Sequence, residues 1–204
     1  MKPYDIVDEF EKVVADYVGS KYAVAVDSCT NALLLCFKLL GTKGKTALLP
    51  SKTYVGVAYS VLNAGGKCEF EDYTWEGFYF ITVKGEVIID SARWFTSGIY
   101  LPGSLMCFSG HWGKTLKIGR GGIIATDNLE QAEALRVMRF DGRTAGTPPK
   151  DDNFILPGHH CYMLPEEAAR GLMLMSSMPK DNDLIPADDY TDLSQYPIFQ
   201  EDYK

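Results

Sequence analysis

Long apolar runs, paired cysteines, clustered metal ligands and a surplus of positive charge are all missing from this sequence. No apolar run approaches the ~18 residues that a membrane-crossing helix needs, so a helical span is not expected. The start, MKPYDIVDEFEKVV, is acidic and amphipathic and reads as neither a signal nor a transit peptide. The cysteines (Cys29, Cys36, Cys68, Cys107 and Cys161) are odd in number and scattered through mostly apolar stretches. They read as free thiols of a reducing compartment, which predicts a cytoplasmic protein. His159, His160 and Cys161 adjoin, but the only other histidine is His111 and no second Cys/His pair stands at ligand spacing. No metal site is therefore expected. The formal net charge of −7 argues against nucleic acid as the main partner. Residues 181 to 204 hold seven acids (Asp181, Asp183, Asp188, Asp189, Asp192, Glu201 and Asp202) and one lysine, so that stretch carries −6 of the total and the body is nearly neutral.

What is present is a hydrophobic content of 46% in 204 residues, enough for one large domain, or one domain and a tail. The chain is organised around Phe108 to Gly122, FSGHWGKTLKIGRGG. A buried-looking run leads into it and the strand-like GIIAT leaves it. Between them, Ser109 and Lys114 stand among five glycines, Gly110, Gly113, Gly119, Gly121 and Gly122. A lysine on such a loop is exposed to a ligand yet held by rigid structure. Its amine is a phosphate ligand, a nucleophile toward a carbonyl, or simply an exposed turn residue. Gly113-Lys114-Thr115 looks like half of a phosphate-binding loop. That loop needs a glycine five residues before its Gly-Lys pair, where this sequence has Phe108.

Taken in order, residues 4 to 18 carry apolar side chains at helical spacing and stop at Gly19. YAVAV (22–26) reads as a buried strand. Asp27-Ser28-Cys29-Thr30-Asn31 follows, and then a buried helix over 32–40. Hydroxyls and free N–H groups at such a helix start either hold an anion or only cap the helix. Strands are predicted at 46–49, 68–70, 78–83, 87–89, 104–108 and 122–126. Helices are predicted at 53–62, at 129–139 after an Asn128 cap, and at 165–175. Asp90 directly follows a buried strand, where it is either a helix cap or a carboxylate in need of a partner. The alternation of strands and helices predicts an α/β three-layer sandwich, a mostly parallel mixed sheet with helices on both faces. Residues 140 to 154 form a polar, Gly/Pro-rich loop. The stretch from 181 on reads as an irregular tail that docks through Tyr190, Leu193, Tyr196, Ile198 and Phe199.

Ser28 with Thr30, Asp90, and Ser109 with Lys114 all fall at strand ends. Pyridoxal 5'-phosphate asks for that set: a lysine for a Schiff base, an acid to keep its ring nitrogen protonated, and hydroxyls and N–H groups for its phosphate.

From about Phe10 to Leu174 the sequence also resembles the DegT/DnrJ/EryC1/StrS family of fold-type-I sugar aminotransferases. Asp27-Ser28-Cys29-Thr30-Asn31-Ala32 resembles its Ser-Gly-Thr-x-Ala phosphate turn, with cysteine in place of glycine. Pro50-Ser51-Lys52-Thr53-Tyr54 resembles its Pro-x-x-Thr-aromatic motif, which implies that Tyr54 stacks on the pyridine ring. Asp90-Ser91-Ala92 resembles its Asp-x-Ala, the ring-nitrogen acid. Phe108-Ser109, then Lys114, then Gly121-Gly122 resembles its Phe-Ser-x4-Lys loop, with Ser109 on phosphate and Lys114 holding the cofactor. Gly158 to Ala169 resembles its Gly-x-Asn-x-Arg segment and the helix after it.

Several positions depart from the pattern. Arg93 stands where the family has Gln or His near the cofactor hydroxyl, and Arg120 replaces an acid before the Gly-Gly pair. His160 and Tyr162 replace the late Asn and Arg, which implies that His160 takes the Asn's role on a neighbouring subunit's cofactor phosphate. The lysine is kept, unlike in the dehydratase branch. Relative to the family the sequence is short, and the expected organisation is a cofactor-binding large domain over 1–180 and an acidic tail over 181–204 in place of the usual small domain.

The resemblance thus implies a homodimeric aminotransferase with sites at the interface, moving an amino group from glutamate to a keto sugar nucleotide. Two other readings stand beside it. One is a degenerate relative that binds the cofactor without turnover, suggested by Arg93, Tyr162 and the missing domain. The other is a phosphate-loop nucleotide binder.

Overall fold

The structure, a computed structural model, describes residues 4–187 and 189–200. Asp188, Glu201 and Asp202 of the acidic tail lie outside the described residues. The helices are α1 (Asp5–Val18), α2 (Cys29–Leu39), α3 (Val55–Asn63), α4 (Leu129–Arg139) and α5 (Pro165–Met175). The strands are β1 (Tyr22–Val26), β2 (Thr46–Pro50), β3 (Lys67–Glu71), β4 (Tyr79–Val83), β5 (Glu86–Asp90), β6 (Leu105–Ser109) and β7 (Gly122–Thr126).

They form one seven-stranded sheet in the order β1-β7-β6-β5-β4-β2-β3. The pairs β5/β6 and β2/β3 are parallel and the other neighbours antiparallel. Following the directions across the sheet, β1, β2, β3, β5 and β6 run one way, and only β4 and β7 are reversed. The carboxyl ends of β1, β2, β5 and β6 therefore share one edge with the amino ends of β4 and β7. In open α/β sheets that edge is where ligands bind.

The period-2 alternation of each central strand feeds two cores. Val24, Val26, Ile88, Leu105, Cys107 and Ile124 pack with Leu33, Val57 and Leu135 of α2, α3 and α4. Ala23, Ala25, Ile89, Met106, Phe108 and Ile123 pack with Phe10 and Val14 of α1 and Ala168 and Met175 of α5. This is the expected three-layer arrangement. A Cβ on Gly171 would lie 2.5 Å from the Phe10 ring, so α5 needs glycine there to press against α1.

The main boundary differences are at helix starts. α2 begins at Cys29 rather than Ala32, because Ser28 is already its cap and accepts the Asn31 N–H. α3 begins at Val55 rather than Thr53, because Thr53 is occupied on the strand edge (below). The tail docks through Leu193 and Phe199, both buried on the α2/α3 side, while Tyr196 stays exposed.

On the other side, α1 is tied to the sheet by a buried charge cluster. One Glu11 oxygen accepts the Ala25 N–H at 2.9 Å and a bond from Arg139; the other accepts Nε and Nη2 of Arg136 at 3.1 and 3.0 Å. Removing one partner of such a buried cluster strands the others. Glu11→Ala is expected to cost about 3–5 kcal/mol, read as a lower urea midpoint at unchanged slope.

Candidate active site

A cavity of about 420 Å³ opens at the shared sheet edge. Ser28, Cys29, Thr30, Tyr54, Asp90, Arg93, Ser109 and Lys114 all line it. These eight of the nine predicted cofactor-contacting residues come from segments as far apart in sequence as 28 and 114, and the sheet brings them to one place. The ninth, His160, does not line the cavity. Its side chain is exposed, and its Nδ1 lies 2.8 Å from the Asp141 carboxylate.

The floor is the end of β5. Asp90 is 5% exposed. One of its oxygens accepts the hydroxyl of Tyr79, its antiparallel register partner, at 2.7 Å. The other accepts the Ala92 N–H at 2.9 Å. Because Tyr79 donates to the carboxylate, its own oxygen accepts from Thr53 Oγ1, 2.6 Å away. No cation hydrogen-bonds to Asp90 among the described residues. Burial pushes its carboxyl above the ordinary range, although the Tyr79 and Ala92 bonds and the nearby Lys114 and Arg93 charges pull it back.

Lys114 comes from the loop between β6 and β7, with its N–H on the His111 carbonyl at 2.9 Å. Burial pulls its amine below the usual lysine range, helped by the Arg93 charge and opposed by Asp90. The loop joins two antiparallel strands and no helix follows Lys114 directly, which removes the phosphate-loop reading, since that motif runs strand, loop, helix. Phe108, where that motif needs glycine, is fully buried in β6.

The wall at the amino end of α2 is a helix N-terminus. Its first intrahelical bond is Ala32 N–H to Ser28 carbonyl at 2.9 Å, so the N–H groups of Cys29 and Thr30 precede the ladder and face outward. Gly122 makes this wall possible. A Cβ there would lie 2.2 Å from the Ser28 carbonyl oxygen and 2.6 Å from the Cys29 nitrogen, so β7 starts directly against the turn. Burial pushes the Cys29 thiol well up, which keeps it protonated. Ser109 ends β6 and accepts the His111 N–H at 3.3 Å. The Tyr54 ring, 55% exposed, stands over the opening. It lies so close to Gly56 that a Cβ there would meet it at 2.6 Å.

Several lining residues were not singled out as ligands from the sequence: Thr53, Trp75, His111, Arg120, Asp189 and Tyr190. Arg120 pairs with Asp27, whose other oxygen accepts from Asn31 Nδ2 at 2.7 Å. Tyr79 was legible in principle, as the inward residue of an alternating strand opposite the Asp90 strand. Asp189 and Tyr190 carry no such pattern. Among the described residues no group of three or more His, Cys, Asp or Glu is placed to hold a metal ion. No helix there is long and apolar enough to cross a membrane.

Residues 1–93 and 100–182 match the sequence profile of the DegT/DnrJ/EryC1/StrS aminotransferase family. The UDP-4-amino-4,6-dideoxy-N-acetyl-beta-L-altrosamine transaminase of Campylobacter jejuni subsp. jejuni serotype O:23/36 is 41% identical over 71 residues, 35% of this chain and 19% of that protein. The GDP-perosamine synthase of Caulobacter vibrioides is 25% identical over 205 aligned residues, 80% of this chain and 54% of that one. Among solved structures, S. venezuelae DesV superposes with a TM-score of 0.72 at 20% identity, covering 85% of this chain and 57% of that chain. 3-Amino-5-hydroxybenzoic acid synthase superposes at 0.72 with 17% identity and 85% coverage of this chain. The chain thus spans about half the length of the relatives that it matches most extensively.

Asp90 gives a test of the site's electrostatics. A carboxyl raised on folding contributes stability that is complete at pH below its unfolded value and lost as pH rises through its folded value. Asp90→Asn is therefore expected to melt higher than the unsubstituted protein at neutral pH without added ligand, by about 2–4 °C per kcal/mol gained. The difference should shrink as pH falls toward the ordinary carboxylate range, as read in parallel calorimetric scans.

Proposed function

The chain belongs to the DegT/DnrJ/EryC1/StrS aminotransferase family, and on that premise we propose that it is a pyridoxal 5'-phosphate-dependent aminotransferase acting on sugar nucleotides. The observation that carries the reading is the convergence of Lys114, Asp90 and the Ser28–Thr30 turn on one cavity. The residues fit the group. Among the described residues, a buried carboxylate has hydrogen-bond donors but no bonded cation, an amine is held toward its neutral form, and a helix N-terminus offers N–H groups that precede the intrahelical ladder to an anion.

When bound, the cofactor supplies a carbonyl carbon that exchanges amines and a protonated ring that withdraws electrons. Lys114 would hold the cofactor at its carbonyl carbon through Nζ and, once displaced by the incoming substrate amine, would take and return a proton at the carbon that bears that amine. Asp90 holds the proton on the ring nitrogen, and Tyr79 and the Ala92 N–H fix the carboxylate for that task. Ser28, Cys29, Thr30 and Ser109 would bind the phosphate, and Tyr54 would cover the ring. L-Glutamate is the amino donor and a keto sugar nucleotide the acceptor. The named relatives, a transaminase of a UDP-linked amino sugar and a GDP-perosamine synthase, support this class of acceptor.

Residues 1–180 serve as the cofactor-binding body, and Asp189 and Tyr190 of the segment that follows line its cavity. The protein works in the cytoplasm as a homodimer with its sites at the interface, where His160 reaches the phosphate in the site of the second copy. Its exposure, away from its own cavity, supports that role.

Mixing the protein with pyridoxal phosphate, reducing with borohydride and mapping peptides is expected to place the label on Lys114, and Lys114→Arg to abolish it. Because the amine is held below the usual range, labelling of Lys114 should reach half-maximum at lower pH than labelling of a lysine side chain in a short model peptide. L-Glutamate should then discharge the bound cofactor's absorption band. A label elsewhere, or none, overturns the reading; a label without discharge marks a binding protein without turnover. Light scattering at working concentration checks the dimer, and a monomer would remove the proposed role of His160.

A further inference from the structure

Arg93 is a buried guanidinium that makes none of its hydrogen bonds to the body of the fold. Its side chain is 8% exposed. Nε donates to Tyr190 Oη at 2.9 Å, Nη1 to the Pro186 carbonyl and Nη2 to the Asp189 carboxylate. The Tyr190 ring lies 4.4 Å from its Cζ. All of these partners belong to one segment, which is anchored at both ends. The Ile185 N–H bonds the Arg93 carbonyl at 2.8 Å, and the Leu193 N–H bonds the Ser51 carbonyl at 2.8 Å. Between the anchors, Asp189 and Tyr190 line the cavity together with Arg93 and Lys114.

The pair is lopsided. Arg93 is buried, and a buried guanidinium needs an anion. Asp189 is 68% exposed, and among the described residues its only ion pair is with Arg93. Water solvates Asp189 well when it lets go, whereas Arg93 requires another carboxylate in exchange. A carboxylate is what a planar guanidinium binds in two-point fashion. Arg93 is also close enough to Lys114 for its charge to act on the amine. A ligand whose carboxylate takes the place of Asp189 therefore has its amino group in the cavity that Lys114 also lines.

We propose that Arg93 is the receptor for the carboxylate of the amino donor, and that Asp189 is an internal carboxylate occupying this subsite until an amino acid displaces it. The donor class is then an α-amino carboxylate, and amines that lack the carboxylate are not captured. The keto sugar, without that group, does not compete for Arg93. The inference rests on the transamination reading of the same cavity, and its test is kept separate from it.

The probe is glutarate, which carries the carboxylates but no amine and cannot react at Lys114. Calorimetric titration of the full chain is expected to show weak binding. Asp189→Ala, at an exposed side chain, should bind glutarate about tenfold tighter, a change of ~1.4 kcal/mol. Neutral glutaramide should bind no better to this variant than to the unsubstituted protein. Adding Arg93→Gln to Asp189→Ala should erase the gain, and Arg93→Lys should restore part of it. If Arg93→Gln does not fold, the comparison of Asp189→Ala with the unsubstituted chain, with glutaramide as control, decides alone.

Equal glutarate affinity with and without Asp189, or equal gains for glutarate and glutaramide, overturns the proposal, as does a gain that survives loss of Arg93. A lower melting temperature for Asp189→Ala without tighter glutarate binding also overturns it and makes Asp189 a latch. Labelling at Lys114 with no glutarate response removes this inference and leaves the aminotransferase reading standing. A glutarate response without labelling removes the donor assignment together with that reading and leaves only a carboxylate site.

Discussion

The Asp90 carboxylate at the end of β5 is the constraint from which the rest of the site follows. Burying a carboxylate is expensive unless every lone pair is used. Here the antiparallel β4 supplies Tyr79 directly across the ladder, Thr53 steadies that hydroxyl from the end of β2, and the chain's own turn returns the Ala92 N–H. These bonds orient the carboxylate without neutralising it. The fold therefore holds at the base of a cavity a carboxylate that hydrogen-bonds to no cation among the described residues, with only the unbonded charges of Lys114 and Arg93 to offset it. Active sites commonly accept such a cost in stability for a group aimed where a charge will arrive.

The sheet explains why this carboxylate meets Lys114. Five strands share a direction, and the reversed β4 and β7 bring their starts, Tyr79 and Gly122, to the same edge. The chemistry is therefore assembled from strand termini. Backbone at strand ends is rigid and already hydrogen-bonded on one side, so side chains just beyond it are held with little loss of entropy on binding. Gly122 belongs to this geometry and not to loop flexibility. Its missing Cβ lets β7 abut the Ser28–Cys29 peptide and turns the start of α2 toward the cavity.

Much of this was legible in the sequence, for local reasons. YAVAV, LMCFS and GIIAT are continuous apolar runs of the kind that central strands require, and the residues directly after or between them were the ones to watch. Ser28, Asp90, Ser109 and Lys114 were picked out this way, and all four line the one cavity. The helix starts were misplaced by two or three residues, because Cys29 and Thr53 look equally at home in a turn or a first helical turn until capping partners are known. What sequence could not supply was pairing at long range. Nothing local joins Arg93 to Asp189, 96 residues later, since the pair depends on where an irregular segment happens to be anchored. Arg93 read as a departure from a familiar pattern, and the acidic stretch as a loose tail; only their contact gives either one a role.

The charges around the cavity divide into two kinds, and the division says what kind of ligand completes it. Arg120 is matched by Asp27 and Arg93 by Asp189, so these cations are satisfied within the chain. Among the described residues Asp90 and Lys114 are not bonded to an opposite charge, and burial moves both toward their neutral forms, the acid upward and the amine downward. A neutral amine is the nucleophilic form, and a buried acid gains most from an arriving cation or proton-bearing nitrogen. A simple anion would satisfy Lys114 only by protonating it and would do nothing for Asp90. A ligand with an electrophilic carbon at one position and a basic ring nitrogen at another satisfies both. A buried acid and an amine on one cavity, neither hydrogen-bonded to an opposite charge among the described residues, therefore fit the cofactor chemistry of the family better than a plain phosphate or nucleotide.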